Sequence, residues 1–161
     1  LINCRNIETL VLPFLGKNID SPDTITYLSE KIYENPIKNI TITLQDVIAE
    51  SAFYGVLAET IIYEQEVKSI GNYAFYDCYN LKEFELTESL NLIGDFAFYG
   101  CKAFSEFNIP SSITEIPAGL IALCRNITEI EIPSSIKKIG EYAFEQVSLT
   151  NFTIPNTVET I

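Results

Sequence analysis

Val67-Lys-Ser-Ile70-Gly71-Asn-Tyr-Ala74-Phe75-Tyr-Asp-Cys78-Tyr-Asn-Leu81-Lys-Glu-Phe84-Glu-Leu86 is followed at once by a second copy of itself. That copy reads Leu90-Asn-Leu-Ile93-Gly94-Asp-Phe-Ala97-Phe98-Tyr-Gly-Cys101-Lys-Ala-Phe104-Ser-Glu-Phe107-Asn-Ile109-Pro110. A third runs from Ile113 through Ile116-Pro117, Leu120-Ile121 and Cys124 to Ile132-Pro133, and a fourth opens at Ile136 and reaches Ala143-Phe144. Cys78, Cys101 and Cys124 recur every 23 residues. A fixed period of this length marks a stacked solenoid, in which each unit buries its apolar face against its neighbours.

Working outward, Leu1-Ile-Asn-Cys4-Arg-Asn-Ile7-Glu-Thr-Leu10-Val-Leu12-Pro13 superimposes on residues 121–133, so the chain opens in mid-unit. From Leu10 to the equivalent Ile40 is 30 residues, longer than one period. The excess predicts an insertion at about 14–36, bounded by turn residues and carrying Ile25, Leu28 and Ile32 at helix-like spacing. Asp20 and Asp23 within it lack the glycine-spaced loop of a calcium site. The rhythm then resumes with strand centres at 40, 61, 84, 107, 130 and 152 and stops part-way through another unit at Ile161. Polar end caps, which repeat arrays need, are not evident at either end, so we expect a single solenoid domain over 1–161 cut from a longer array.

Each recurring position has an expected role. Residues such as Leu81-x-x-Phe84-x-Leu86 alternate as a strand, and equivalent strands should pair in parallel about 4.8 Å apart. Pro13, Pro110, Pro133 and Pro155 end those strands, since proline gives no hydrogen bond to a ladder. The Ile-Gly pairs at 70–71, 93–94 and 139–140 are expected to turn the chain through a conformation glycine permits. Ile116-Pro117 stands at that place in the third unit, where the stack should be least regular. Ala74, Ala97 and Ala143 suggest short helical turns pressed on the sheet, with Phe75, Phe98 and Phe144 as a buried aromatic column.

The four cysteines share one position that Val56 and Val147 also occupy, which points to buried reduced thiols rather than zinc or disulfides. Three glycosylation-type triplets, at Asn39, Asn126 and Asn151, are incidental in so Asn- and Thr-rich a chain.

Composition narrows function. A formal charge of −12 opposes binding to nucleic acid or anionic membranes, which depends on Lys and Arg. Acidity keeps a repetitive surface soluble, or it serves a basic partner. The chain has no histidine, which removes His-dependent nucleophile systems and His-ligated metals, and it has no glycine-rich phosphate loop. No run nears the roughly 18 apolar residues of a membrane helix. We therefore expect no catalytic residues, no metal site and no cofactor.

The block Ile-Gly-x-[Tyr/Phe]-Ala-Phe-x-x-Cys-x-x-[Leu/Phe]-x-x-[Phe/Ile]-x-[Leu/Ile]-Pro resembles the BspA-like leucine-rich repeats over residues 1–13 and about 37–161. Leu12-Pro-Phe-Leu-Gly16 followed by Thr26-Tyr27-Leu28 is similar to an insertion among surface members from gut bacteria. The resemblance implies an α/β repeat fold: a right-handed leucine-rich-repeat solenoid of about six repeats of 21–23 residues, with a parallel sheet and short helical turns. It implies a bacterial protein, secreted or at the cell surface, that adheres to host extracellular or cell-surface proteins without catalysis. A structural spacer and a glycan-binding module are the alternatives, the latter resting on Tyr73, Tyr76, Tyr99 and Tyr142.

The candidate contact surface is the outward side of the strands, which reads Glu83, Glu85, Glu106, Asn108, Glu129, Glu131, Asn151 and Thr153. Like charges facing each other across strands are destabilising, so five stacked glutamates suggest use by a partner. The same row is equally consistent with a solvated face.

Overall fold

The structure, a computed structural model, describes residues 6–15 and 37–161. Most of the insertion, including Asp20, Asp23 and its helix-like spacing, lies outside them, as does Cys4. At the foot of the insertion Leu15 is buried and its backbone is clasped on both sides by the buried Gln45. Gln45 Nε2 donates to the Leu15 carbonyl at 3.1 Å, and the Leu15 N–H donates to Gln45 Oε1 at 3.0 Å.

Inward-facing aliphatic residues at every second position make the first wall. Strands β1 (Thr9–Leu12) and β2 (Asn39–Ile42) pair in parallel, and Thr60–Tyr63, which is β4, pairs with the other side of β2. Their register sets Leu10 against Ile40 and Ile40 against Ile61, as the strand centres require. On the outer side a polar ladder runs across the same strands. Thr60 Oγ1 donates to Asn39 Oδ1 at 2.7 Å, and Asn39 Nδ2 donates to Thr9 Oγ1 at 3.4 Å.

This wall does not continue as a paired sheet. Residues 83–86 and 106–109 belong to no strand, and beyond them only a bridge between Glu129 and Asn151 remains among the described residues. Pairing holds where the central inward residue is Leu10, Ile40 or Ile61, and it fails where that residue becomes Phe84 or Phe107. Glu83, Glu106 and Glu129 would face one another across a closed ladder.

A second wall stands where turns were expected. Two-residue strands β3 (Val47–Ile48), β5 (Ser69–Ile70) and β6 (Leu92–Ile93) form one parallel sheet, and β7 (Glu115–Ile116) pairs with β8 (Lys138–Ile139) in another. The break between β6 and β7 has a plain cause. Gly71, Gly94 and Gly140 each donate an N–H to the isoleucine carbonyl of the coil before, at 2.7–2.8 Å. Pro117 takes that place in the intervening coil and has no N–H to give.

The Ile-Gly glycines act differently from the expectation. None of the three has a positive φ; each is instead crowded by the preceding coil. A Cβ on Gly71 would lie 2.7 Å from the Ala49 carbonyl carbon, and one on Gly140 would lie 2.7 Å from that of Pro117. Glycine is there so that two backbones can touch.

The expected helical turns are likewise corrected: among the described residues there is no helix. The Ala-Phe segments are turns in which alternate residues serve different partners. Ser51, Phe53 and Gly55 donate N–H groups to Asn72, Ala74 and Tyr76 of the next coil, while Ala52, Tyr54 and Val56 donate three residues back. Tyr73-Phe75-Asp77, Phe96-Phe98-Gly100 and Gly119-Ile121-Leu123 repeat the forward pattern at 2.7–3.1 Å. The alternation requires left-handed residues at two fixed places. Ser51, Tyr73, Phe96, Gly119 and Tyr142 occupy the first, and Gly55, Asp77, Gly100, Leu123 and Gln146 the second, all with φ between 54° and 71°. For a non-glycine residue this costs about 1–2 kcal/mol, offset here by the bonds between coils.

One cluster of buried residues extends from Leu10 to Ala143. Its aromatic column is Phe53, Phe75 and Phe98, stacked at 5.2 and 4.9 Å. Ile121 interrupts it, and Phe144, expected to be buried, is only half-buried and meets Phe152 edge-on. Cys78, Cys101 and Cys124 are free and fully buried. They do more than fill space, because each Sγ donates to the carbonyl of Phe53, Phe75 or Phe98 in turn, at 3.0–3.2 Å. Burial pushes all three thiols up, Cys124 to about 12. Since the thiolate is the nucleophile, none of the three should react with iodoacetamide near neutral pH until the chain is unfolded. Carbamidomethylation of any of them in the native protein, read by peptide mass, would contradict this packing.

Candidate functional site

All eight outward residues named from the sequence are exposed, and those from Glu83 to Glu131 alternate with buried or half-buried neighbours. The structure divides them. Glu83, Glu85, Glu106 and Asn108 gather around an open cleft of about 740 Å³, whereas Glu129, Glu131, Asn151 and Thr153 lie beyond it. Ile62, Glu64, Gln65 and Glu66, which the strand pattern did not single out, line the same cleft. The signal that could have found them is the run Glu64-Gln-Glu66 directly after β4.

The cleft occupies the unpaired part of the first wall. At one end Lys82 N–H donates to the Glu59 carbonyl at 3.1 Å, and at the other Asn91 N–H donates to the Lys68 carbonyl at 3.0 Å. Between those two pins the coils part. Tyr63 lies in this gap, edge-on to Phe53 at 6.2 Å and to Phe84 at 6.4 Å, where neighbouring coils place Ile42 and Leu86. Its phenol is buried without a hydrogen-bond partner, and burial pushes its pKa far above the ordinary value. Thr87, also in the lining, buries an unpartnered hydroxyl.

The electrostatics are one-sided. Glu64, Glu66, Glu83, Glu85 and Glu106 all line the cleft, and among the described residues no lysine or arginine does. The described cations are engaged elsewhere: Lys38 with Glu8, Lys68 with Asp46, Lys82 with Glu59, Lys137 with Glu159 and Lys138 with Glu115. Lys102 sits 4.4 Å from the Tyr79 ring centre, and Arg125 donates to Gln146. The hydrogen bond from Lys68 holds Asp46 below its usual carboxylate range, and Lys82 does the same to Glu59. Among the described residues no cation pairs with any glutamate of the outward face. Glu66 does accept a short hydrogen bond from Ser89.

The tyrosines form a separate feature on the turn side. Tyr54, Tyr76 and Tyr99 stack at 4.8 and 4.5 Å, and Tyr73 stacks on Phe96 at 5.5 Å. Both faces of Tyr76, and the faces of Tyr54 and Tyr99 turned toward it, are covered by the stack. Sugar rings pack on aromatic faces, and of the four tyrosines considered Tyr142 is the one left well exposed, at 61%. Burial, with Tyr99 next in weight, raises the Tyr76 phenol to about 12.

Nothing in this arrangement pairs a nucleophile with a base, and among the described residues no group of three acidic or thiol side chains is placed to hold a metal ion. No described helix is long and apolar enough to cross a membrane.

Comparison with known proteins matches six copies of the BspA type leucine rich repeat region to residues 46–161. Among solved structures, a leucine rich cell surface protein from Faecalibacterium prausnitzii superimposes with a TM-score of 0.79 at 23% identity, over 96% of this chain and 43% of that one. A leucine rich repeat protein of T. pallidum aligns with a TM-score of 0.60 at 19% identity, over 83% of this chain and 73% of that one. A leucine-rich repeat protein from Bacteroides ovatus gives 0.55 at 20% identity, over 89% and 47%. These likenesses establish the fold. The chain spans less than half of the F. prausnitzii protein. No curated protein gives a significant match.

Proposed function

The chain belongs to the BspA type leucine rich repeat family, and on that premise we propose that it is a non-catalytic adhesion module of a secreted or cell-surface bacterial protein, contacting a basic protein partner. A repeat module of this kind works by offering a long surface to another protein. One observation carries the more specific reading: the outward face concentrates glutamates that no described cation neutralises. Such a face repels itself in the free protein and gains most when a cationic surface covers it. Glu83, Glu85, Glu106, Asn108, Glu129, Glu131, Asn151 and Thr153 are the residues we assign to that contact. The similar fold of the leucine rich cell surface protein from F. prausnitzii supports the location.

The test is the triple change Glu85→Gln, Glu106→Gln and Glu131→Gln, which keeps size and polarity. Binding to basic host extracellular proteins immobilised on a sensor should weaken at least tenfold and lose most of its salt dependence. Equal binding by the triple variant and the parent would remove the acidic face from the contact. A spacer role would be indicated instead if the parent bound none of those proteins. Glycan recognition is not favoured, because the stacked tyrosines cover one another's faces.

A further inference from the structure

We propose that the cleft between β4 and residues 83–87 takes an extended, basic peptide segment of the partner protein as an added strand in the interrupted wall. The inference rests on the protein-binding role above and specifies what the partner must present.

The backbone argument comes first. The N–H groups of Thr60 and Glu64 point to β2, where they donate to Lys38 and Ile42. Strand alternation therefore turns the N–H and C=O groups of Ile61 and Tyr63 to the opposite side, toward the cleft. On the far bank the positions equivalent to Thr60, Ile62 and Glu64 are Glu83, Glu85 and Thr87, so these present their amides to the same opening. No N–H of Ile61, Tyr63, Glu83, Glu85 or Thr87 donates a backbone hydrogen bond across the cleft. An unpaired strand edge is a template for another strand, and peptide recognition by strand addition uses such an edge. The flanking bonds at Glu59–Lys82 and Lys68–Asn91 hold the opening at both ends, so it is a gap of defined length within a wall.

The side chains then set the chemistry. A strand seated in the wall would send alternate residues outward, into the row where Glu83, Glu85 and Glu106 stand, with Glu64 and Glu66 beside it. Lysine or arginine suits those positions. The intervening residues would face inward, over Tyr63, Phe84 and Phe107, and should be apolar. Ile62, 54% exposed on the cleft bank, adds apolar surface for the stems of the basic side chains. The buried Thr87 hydroxyl, without a partner in the free protein, lies in the same lining.

The experiment uses the full chain and a capped synthetic peptide of alternating lysine and valine. Its control is the same peptide N-methylated at the valines, which keeps every charge and removes backbone donors. Titration calorimetry should show the first binding at least tenfold more tightly than the second. Hydrogen exchange should show new protection at Ile61, Tyr63, Glu83, Glu85 and Thr87 on addition of the first. The variant carrying Glu64→Gln, Glu83→Gln and Glu85→Gln should lose that binding. Equal affinity for both peptides, with loss in the glutamine variant, would overturn strand addition while leaving an acidic contact face in place. Absence of binding, or protection at other amides, would overturn the inference, and the host-protein assay would still decide the broader reading on its own.

Discussion

Replacing Phe98 by alanine is expected to destabilise the protein by about 3–5 kcal/mol in equilibrium urea unfolding, the range for emptying an aromatic core site. Phe98 is fully buried and is the most connected ring of the interior. It stacks on Phe75 at 4.9 Å, meets Phe107 edge-on at 5.2 Å, and lies 5.8 and 5.9 Å from Phe104 and Phe84. Those partners belong to Phe98's own coil and to the one before it, so the void cannot be closed by shifting one of them alone. Its backbone is held as well, since the Phe98 N–H donates to Leu120 and its carbonyl accepts from Cys124 Sγ. The cavity therefore stays open instead of collapsing. Phe144→Ala, at the equivalent position of a later coil, should cost clearly less, because Phe144 is half-buried and its neighbour Phe152 is 41% exposed. Equal losses at the two positions, or a loss under about 1 kcal/mol at Phe98, would contradict a continuous interior packed from coil to coil.

The contrast between those two phenylalanines shows what a repeat reveals in sequence and what it hides. Period and column identity are legible because each position has the same job in every unit. The register of Leu10, Ile40 and Ile61, the burial of Cys78, Cys101 and Cys124, and the exposure of all eight outward residues followed from that alone. Conformation within a column is less legible. Two-residue strands such as Leu92–Ile93 are too short to show an alternation, so the second wall passed for turns. The left-handed positions hold residues as different as Ser51, Tyr73, Phe96 and Gly119, because the demand comes from hydrogen bonds to the next coil and not from local preference. Gly55 and Gly100 at one of those positions were the available hint. The cleft was the least readable feature. It arises where Tyr63 replaces an aliphatic residue and Phe84 follows it, a mismatch between neighbouring units that a consensus averages away.

Gly94→Ala tests the closest approach of backbone to backbone, and propensity and packing predict opposite signs for it. Gly94 does not have a positive φ, so on conformational grounds alone alanine is tolerated and should stabilise by about 0.4–1 kcal/mol through the unfolded chain. The structure predicts the reverse. A Cβ there would press into the backbone N of Asn72, 2.5 Å from its Oδ1 and 2.6 Å from the Gly71 carbonyl carbon. Two of these atoms are backbone, pinned by the Gly71 N–H to Ile48 bond at 2.8 Å and by the Ser51 N–H to Asn72 carbonyl bond at 2.9 Å. They cannot yield as a flexible side chain would. The coils paired through this column carry glycine there, at Gly71, Gly94 and Gly140. Ala49 occupies the same column at β3, the first strand of its sheet, where no strand pairs on that side. Gly94→Ala should therefore destabilise by about 3 kcal/mol, the upper end for overpacking. Gly55→Ala provides the control: its Cβ would meet nothing within 4 Å, yet its φ of 67° should cost about 1 kcal/mol. If Gly94→Ala left the unfolding midpoint unchanged or raised it, the coils could not be in contact through this column, and the ladder of isoleucine carbonyls and glycine N–H groups would have to be redrawn.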